Sequence, residues 1–154
     1  MVSNLQEQLK VQKMNIEERM SKIDKKIAIG SGKGGVGKSV VTSLIASYLA
    51  KQGKNVGILD LDITGPSIPM MFGTNEKPIG TSSGIMPITT ESGIKIMSMS
   101  LLLPKNEDAV IWRGPMISNA VSQFLADIVW DELDYLLFDL PPGTSDVQLT
   151  LMQS

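Results

Sequence analysis

The sequence predicts an α/β fold built on a mostly parallel sheet, and three observations carry that prediction. A short apolar run at 26–30 (KIAIG) ends in a glycine-rich turn, a stretch with helical apolar spacing follows, and a second apolar run occupies 54–61 (KNVGILDL). Strand, glycine turn, helix and strand in about 35 residues make a βαβ unit, whose two strands run parallel.

The elements follow in order along the chain. From 3 to 25, Leu5, Leu9, Ile16, Met20 and Ile23 recur at steps of three, four and seven among Gln, Glu, Lys and Arg. That spacing predicts an amphipathic helix, a leader over 1–25 ahead of a domain over 26–154. One apolar stripe suits a helix lying on its own domain as well as one that meets a partner, and it assigns no role. The run 26–30 is apolar from Ile27 to Ile29, as expected of a strand buried on both faces. Val41, Leu44, Ile45, Tyr48 and Leu49 then fall at i, i+3, i+4, i+7 and i+8, with Gly53 placed as a C-cap glycine. Between Gly65 and Gly84 the density of Pro, Gly, Ser and Thr marks a long irregular loop with one helical turn around 66–72. The runs 85–88 and 94–99 flank the turn Glu91-Ser92-Gly93 and predict a hairpin whose second arm enters the main sheet. Gly114-Pro115 opens a helix along Ile117, Val121, Phe124, Leu125 and Ile128, with proline in its favoured first turn. The run 135–140 (YLLFDL) is a further strand, ended by Pro141-Pro142-Gly143.

Composition narrows the chemistry. Fourteen basic and sixteen acidic side chains leave a net charge of −2, so no broad positive field draws nucleic acid or anionic lipid. The absence of cysteine removes disulfides, thiolate metal sites and thiol catalysis, and the absence of histidine removes the usual general base. No apolar run approaches the length of a membrane span, and the first residues lack the apolar core of a signal peptide; a cytoplasmic location is the expectation. The ten methionines are scattered over core-like positions such as Met97 and Met99, which favours packing over soft-metal binding. Trp112 and Arg113 precede a helix and suit a packed aromatic as well as a partner contact.

The richest chemical pattern lies at 32–39 (GKGGVGKS), which satisfies G-x-x-x-x-G-K-[ST] after a predicted strand and before a predicted helix. Gly32, Gly34, Gly35 and Gly37 let the backbone curl around a polyphosphate, which also meets the positive end of the following helix. With Lys33 and Val36 between them, they form the cradle of a phosphate-binding loop. Lys38 supplies a point charge for the β- and γ-phosphates, and the Ser39 hydroxyl is a hard ligand suited to Mg²⁺; ATP and Mg²⁺ are the expected ligands. Asp60, Asp62 and Asp139 stand at or just past the carboxyl ends of predicted parallel strands, the edge where open α/β sheets bind ligands. Asp139, closing LLFD, is placed as the carboxylate that reaches Mg²⁺ directly or through water; Asp62 is placed to orient the attacking water, and Asp60 to support the site.

With these residues in place, GKGGVGKS, carrying a second lysine at Lys33, resembles the deviant Walker A motif of the MinD and ParA group of dimeric ATPases. The stretches 59–69 (LDLDITGPSIP), 111–116 (IWRGPM) and 139–146 (DLPPGTSD) resemble its Mrp and ApbC branch, P-loop ATPases that carry and transfer iron–sulphur clusters. The resemblance covers nearly everything from 26 to 154. It implies a doubly wound sheet, an ATP-sandwich homodimer in which Lys33 reaches the partner's nucleotide, Asp62 in switch I, and 139–146 in switch II. It implies an iron–sulphur cluster, and apoproteins or scaffold proteins as partners; from the charge balance and the lack of an apolar span, neither nucleic acid nor membrane is expected. Two departures stand out: Val40 replaces the threonine usual after the loop serine, and no cysteine is available for a cluster. A positioning ATPase of the MinD or ParA type, or a truncated chain with residual nucleotide binding, are the alternative readings. In the group's fold a later strand lies beside the one that carries the cradle. The 154 residues are therefore expected to be an incomplete domain, marginally stable and poorly base-selective, with Ile27, Ala28 and Ile29 on an open edge.

Overall fold

A computed structural model describes residues 2–62, 67–102, 114–143, 147, 148 and 151. Helix α1 (Val2–Ser21) leads into β1 (Ile23–Ile29), α2 (Lys38–Lys51) and β2 (Val56–Asp60). After them come α3 (Ser67–Met71), β3 (Ile79–Thr81), β4 (Gly84–Met86), β5 (Ile88–Thr89) and β6 (Lys95–Ser98). The short α4 (Met99–Leu102), α5 (Gly114–Asp127) and β7 (Leu133–Asp139) complete the order.

Five strands form one sheet in the order β1-β7-β2-β6-β5. The first four run parallel, and β5 pairs antiparallel with β6. The predicted hairpin is thus present, with β6 as the arm that enters the main sheet, although Ile85 belongs elsewhere. It sits in β4, which pairs as a separate ribbon with β3, a strand inside the stretch read from its composition as irregular loop. Too short to alternate visibly, these two strands give no periodic signal in the sequence.

The sheet is covered on both faces, as a doubly wound fold requires. Successive strand residues point to opposite sides, and neighbouring pairs divide accordingly. Leu59, Met97, Leu136 and Phe138 join Ile16, Met20, Val121 and Leu125 in one core cluster. Ile58, Ile96 and Leu137 join Ala46 and Ile68 in the other. Helices α1 and α5 therefore close one face, and α2 and α3 the other. Met97 and Met99 are completely buried, in keeping with a packing role.

Two expectations are corrected. Residues 26–29 are not buried on both faces. The strand lies at an edge of the sheet, paired with β7 alone among the described residues, and only Ile23 of β1 is buried. Ile27, Ala28 and Ile29 thus have a strand neighbour on one side among the described residues. On α2 the buried residues are Lys38, Thr42 and Ala46, with Ile45 and Leu49 packed beside them, while Val41, Leu44 and Tyr48 are exposed. Here the helix turns its polar line, not the whole apolar stripe, towards the sheet.

The leader helix divides in the same way. Ile16 and Met20 are buried against the core that α5 shares, whereas Leu5 and Leu9 of the predicted stripe are exposed. Its end is fixed by Lys26, whose ammonium donates to the carbonyls of Met20 and Ile23 at 3.1 Å each. Trp112 and Arg113 lie outside the described residues.

Candidate functional site

The cradle forms where β1 meets α2. Gly35 and Gly37 take φ of 72° and 91°, a left-handed backbone that favours glycine. A Cβ added at Gly32, Gly35 or Gly37 would meet nothing within 4 Å, so the loop surrounds open space. Its outer wall is held by the segment after β7: the Gly143 N–H donates to Ser31 O at 2.8 Å, and the Ser31 hydroxyl donates to Lys33 O at 2.9 Å. Gly37 caps α2 without any side-chain hydrogen bond. A 14-residue helix thus presents its positive end to the loop with no capping side chain at Gly37. These features fit a polyphosphate.

Behind the cradle lies a closed polar cluster. Asp139, at the end of β7, is completely buried and accepts hydrogen bonds from Ser39 Oγ on Oδ2 at 2.6 Å and from Thr42 Oγ1 on Oδ1 at 2.8 Å. The Lys38 ammonium sits 2.9 Å from Oδ1 as an ion pair, its side chain 7% exposed. Asp139 Oδ1 is the carboxylate oxygen paired with it, which leaves at least two of the three ammonium N–H donors without a protein acceptor among the described residues. Burying an ammonium with idle donors is costly. It is a group suited to an anion arriving from the cradle.

Asp60 ends β2 in register with Asp139 and is also completely buried. It accepts from the Asp62 N–H on Oδ1 at 3.0 Å and from Ser98 Oγ on Oδ2 at 3.1 Å; Ser98 in turn meets the Ser100 hydroxyl at 2.8 Å. Burial pushes the Asp60 carboxyl up to about 7, with the charges of Asp139 and Asp62 adding to it and the two hydrogen bonds opposing it.

The structure therefore brings Lys38, Ser39 and Asp139 into contact and sets Asp60 next to them in the sheet. Asp62 is tied to Asp60 through its backbone, and Lys33 stands exposed on the rim of the loop. Residues 144–146 of the stretch DLPPGTSD lie outside the described residues. No group of three or more acidic, His or Cys side chains able to hold a metal occurs among the described residues. The donor set instead matches a hard cation shared with phosphate oxygens: one hydroxyl, Ser39, and one carboxylate, Asp139.

Thr42 and Ser98 were not singled out by motif. Thr42 could have been found from its place one helical turn past Lys38, a hydroxyl in the apolar stretch VVTSLIA. Ser98 aligns with Asp60 only through the pairing of β2 with β6, which no local pattern announces.

Comparison with known proteins identifies the family and the fold. A family model described as ParA, NUBPL iron-transfer P-loop NTPase, matches residues 22–154. An iron-sulfur cluster carrier protein of Methanocaldococcus jannaschii is 58% identical over 144 residues, covering 93% of this chain and 50% of that protein. A cytosolic Fe-S cluster assembly factor of Chaetomium globosum is 46% identical over 144 residues, with 88% and 48% covered. The chain spans about half the length of the curated relatives it matches. Among solved structures, a nucleotide-binding protein in complex with ADP from Archaeoglobus fulgidus superposes with a TM-score of 0.78 at 49% identity, covering 91% of this chain and 54% of that one. The cell division ATPase MinD of Pyrococcus furiosus has a TM-score of 0.54 at 20% identity, covering 84% and 55%, which shows the shared fold. No described helix is long and apolar enough to cross a membrane.

Proposed function

This chain belongs to the ParA family of P-loop NTPases, in its iron-transfer branch, and on that premise we propose that it binds and hydrolyses Mg·ATP as part of an iron–sulphur cluster carrier. The observation that carries the reading is the Lys38 ammonium, buried beside Asp139 with donors to spare at the mouth of an open glycine cradle. In this reading Gly32, Lys33, Gly34, Gly35, Val36 and Gly37 wrap the phosphates, and Lys38 turns its donors to the β- and γ-oxygens. Ser39 and Asp139 hold Mg²⁺, which when bound neutralises charge on the phosphate chain. Asp60 keeps the backbone at Asp62 in place, and Asp62 orients the attacking water. Lys33, exposed on the rim, serves the partner's nucleotide in a homodimer, where it stabilises charge developing on the transferred group.

The cluster is cargo, delivered to apoproteins or received from scaffold proteins. With no cysteine, these 154 residues offer it no thiolate, and they contribute the nucleotide half of the cycle. A cytoplasmic setting fits the relatives named as cytosolic assembly factors.

Calorimetry tests the reading. Wild-type chain should bind ATP more tightly with Mg²⁺ than without, and Lys38→Ala should lose at least tenfold in affinity, on the order of the loss of one charge-assisted contact. Equal binding by the two proteins would remove Lys38 and the cradle from the function.

A further inference from the structure

We infer that Thr42 is a positioning residue for Asp139, the side chain that keeps this carboxylate aimed once ligands claim its other two partners. The inference rests on the nucleotide reading above. Asp139 has three neighbours of donor type: Lys38 and Thr42 on Oδ1, and Ser39 on Oδ2. Lys38 and Ser39 each have a second duty, one towards phosphate and one towards a hard cation. Thr42 has none. It is 0% exposed, one turn further along α2, where the side chain faces the sheet and not the cradle.

The single hydroxyl proton of Thr42 has two acceptors in reach, Lys38 O at 3.0 Å and Asp139 Oδ1 at 2.8 Å. Within a helix the Lys38 carbonyl already receives the backbone N–H four residues on, so a side-chain bond there satisfies no orphan group. A bond to a carboxylate is roughly twice as strong as one to a neutral acceptor. The proton therefore belongs to Asp139, and it fixes the rotation of the carboxylate about its last torsion. With Oδ1 anchored from the helix side, Oδ2 is left facing Ser39, the other cation ligand. A carboxylate deprived of this anchor would be free to rotate when Lys38 turns to phosphate. Outer partners of metal ligands commonly act in this manner.

Thr42→Val removes the hydroxyl at nearly constant volume, and Thr42→Ser restores it. Each is titrated calorimetrically with ADP in EDTA and with ADP in excess Mg²⁺, after a thermal melt confirms folding. Thr42→Val should bind ADP without metal within about twofold of wild type, while the strengthening brought by Mg²⁺ falls by about tenfold to a hundredfold. Thr42→Ser should keep the wild-type response. The inference is overturned if Thr42→Val gains from Mg²⁺ as wild type does. It is equally overturned if both substitutions weaken ADP to the same extent with and without metal, since that marks a packing role only. Should Thr42→Val not fold, Thr42→Ala, which leaves space rather than a methyl group against the carboxylate, is read by the same two titrations. Wild-type chain that binds no ADP in either buffer would overturn the nucleotide reading itself, and this inference with it, before any variant is compared.

Discussion

The glycine cradle and the carboxylate cluster behind it lie side by side, yet they are built on opposite terms. The cradle is exposed, its shape comes from residues that lack side chains, and a Cβ at three of its glycines would touch nothing. In the cluster, Asp60, Asp139, Thr42 and Ser98 are all completely buried, and every oxygen of the two carboxylates has a named partner. One region is open for a ligand; the other is closed and holds the first in place. The consequence is a division of labour, in which substitutions facing the cradle act on ligand, those at Asp60 and Ser98 act on folding, and Asp139 and Thr42, where the two regions meet, act on the cation as well as on the fold.

The largest expected effect is that of Asp139→Asn. It leaves the buried Lys38 ammonium without a counter-charge, and breaking a buried pair by removing one partner costs about 3–5 kcal/mol. Urea unfolding should report that loss, and adding Lys38→Met should recover most of it. A loss under about 1 kcal/mol would mean that the cluster is far wetter than its burial indicates.

Asp60 gives a smaller, pH-dependent effect. Its carboxyl is raised from 3.8 to about 7 in the folded chain, which therefore keeps a proton that the unfolded chain releases. Stability from this group is full at the acid end of that window, declines as pH rises through it, and is level above it. Three pKa steps correspond to at most about 4 kcal/mol. Compared with Asp60→Asn, wild type should lose ground between pH 4 and 7 in urea titrations, and parallel curves for the two proteins would contradict the burial of a neutral Asp60.

These contrasts explain what was legible in the sequence. The cradle could be read from 32–39 because its shape depends on adjacent residues, and the strand ends at Asp60 and Asp139 could be read because apolar runs stop there. What joins them is not local. Ser39 meets Asp139 across 100 positions and Ser98 meets Asp60 across 38, contacts that follow from the order of strands in the sheet. The same cause misled the reading of β1. Its apolar residues resemble those of β2, but β2 lies centrally and is buried throughout, whereas β1 occupies an edge. Helix α2 shows a third case: periodicity located the helix, while the face turned inward was decided by the polar partners awaiting Lys38 and Thr42.

The central claim, that the open cradle and the buried Lys38 form a nucleotide site, is tested most directly by thermal melts of wild type and Lys38→Ala with and without Mg·ADP. A ligand at about 100 times its Kd stabilises the folded chain by about 2.7 kcal/mol. For a chain of this size that corresponds to a rise in Tm of about 5–10 °C. The account predicts this rise for wild type and at most about half of it for Lys38→Ala at the same concentration, because a tenfold weaker Kd still leaves about 1.4 kcal/mol; no rise in wild type, or the same rise in both, would contradict it.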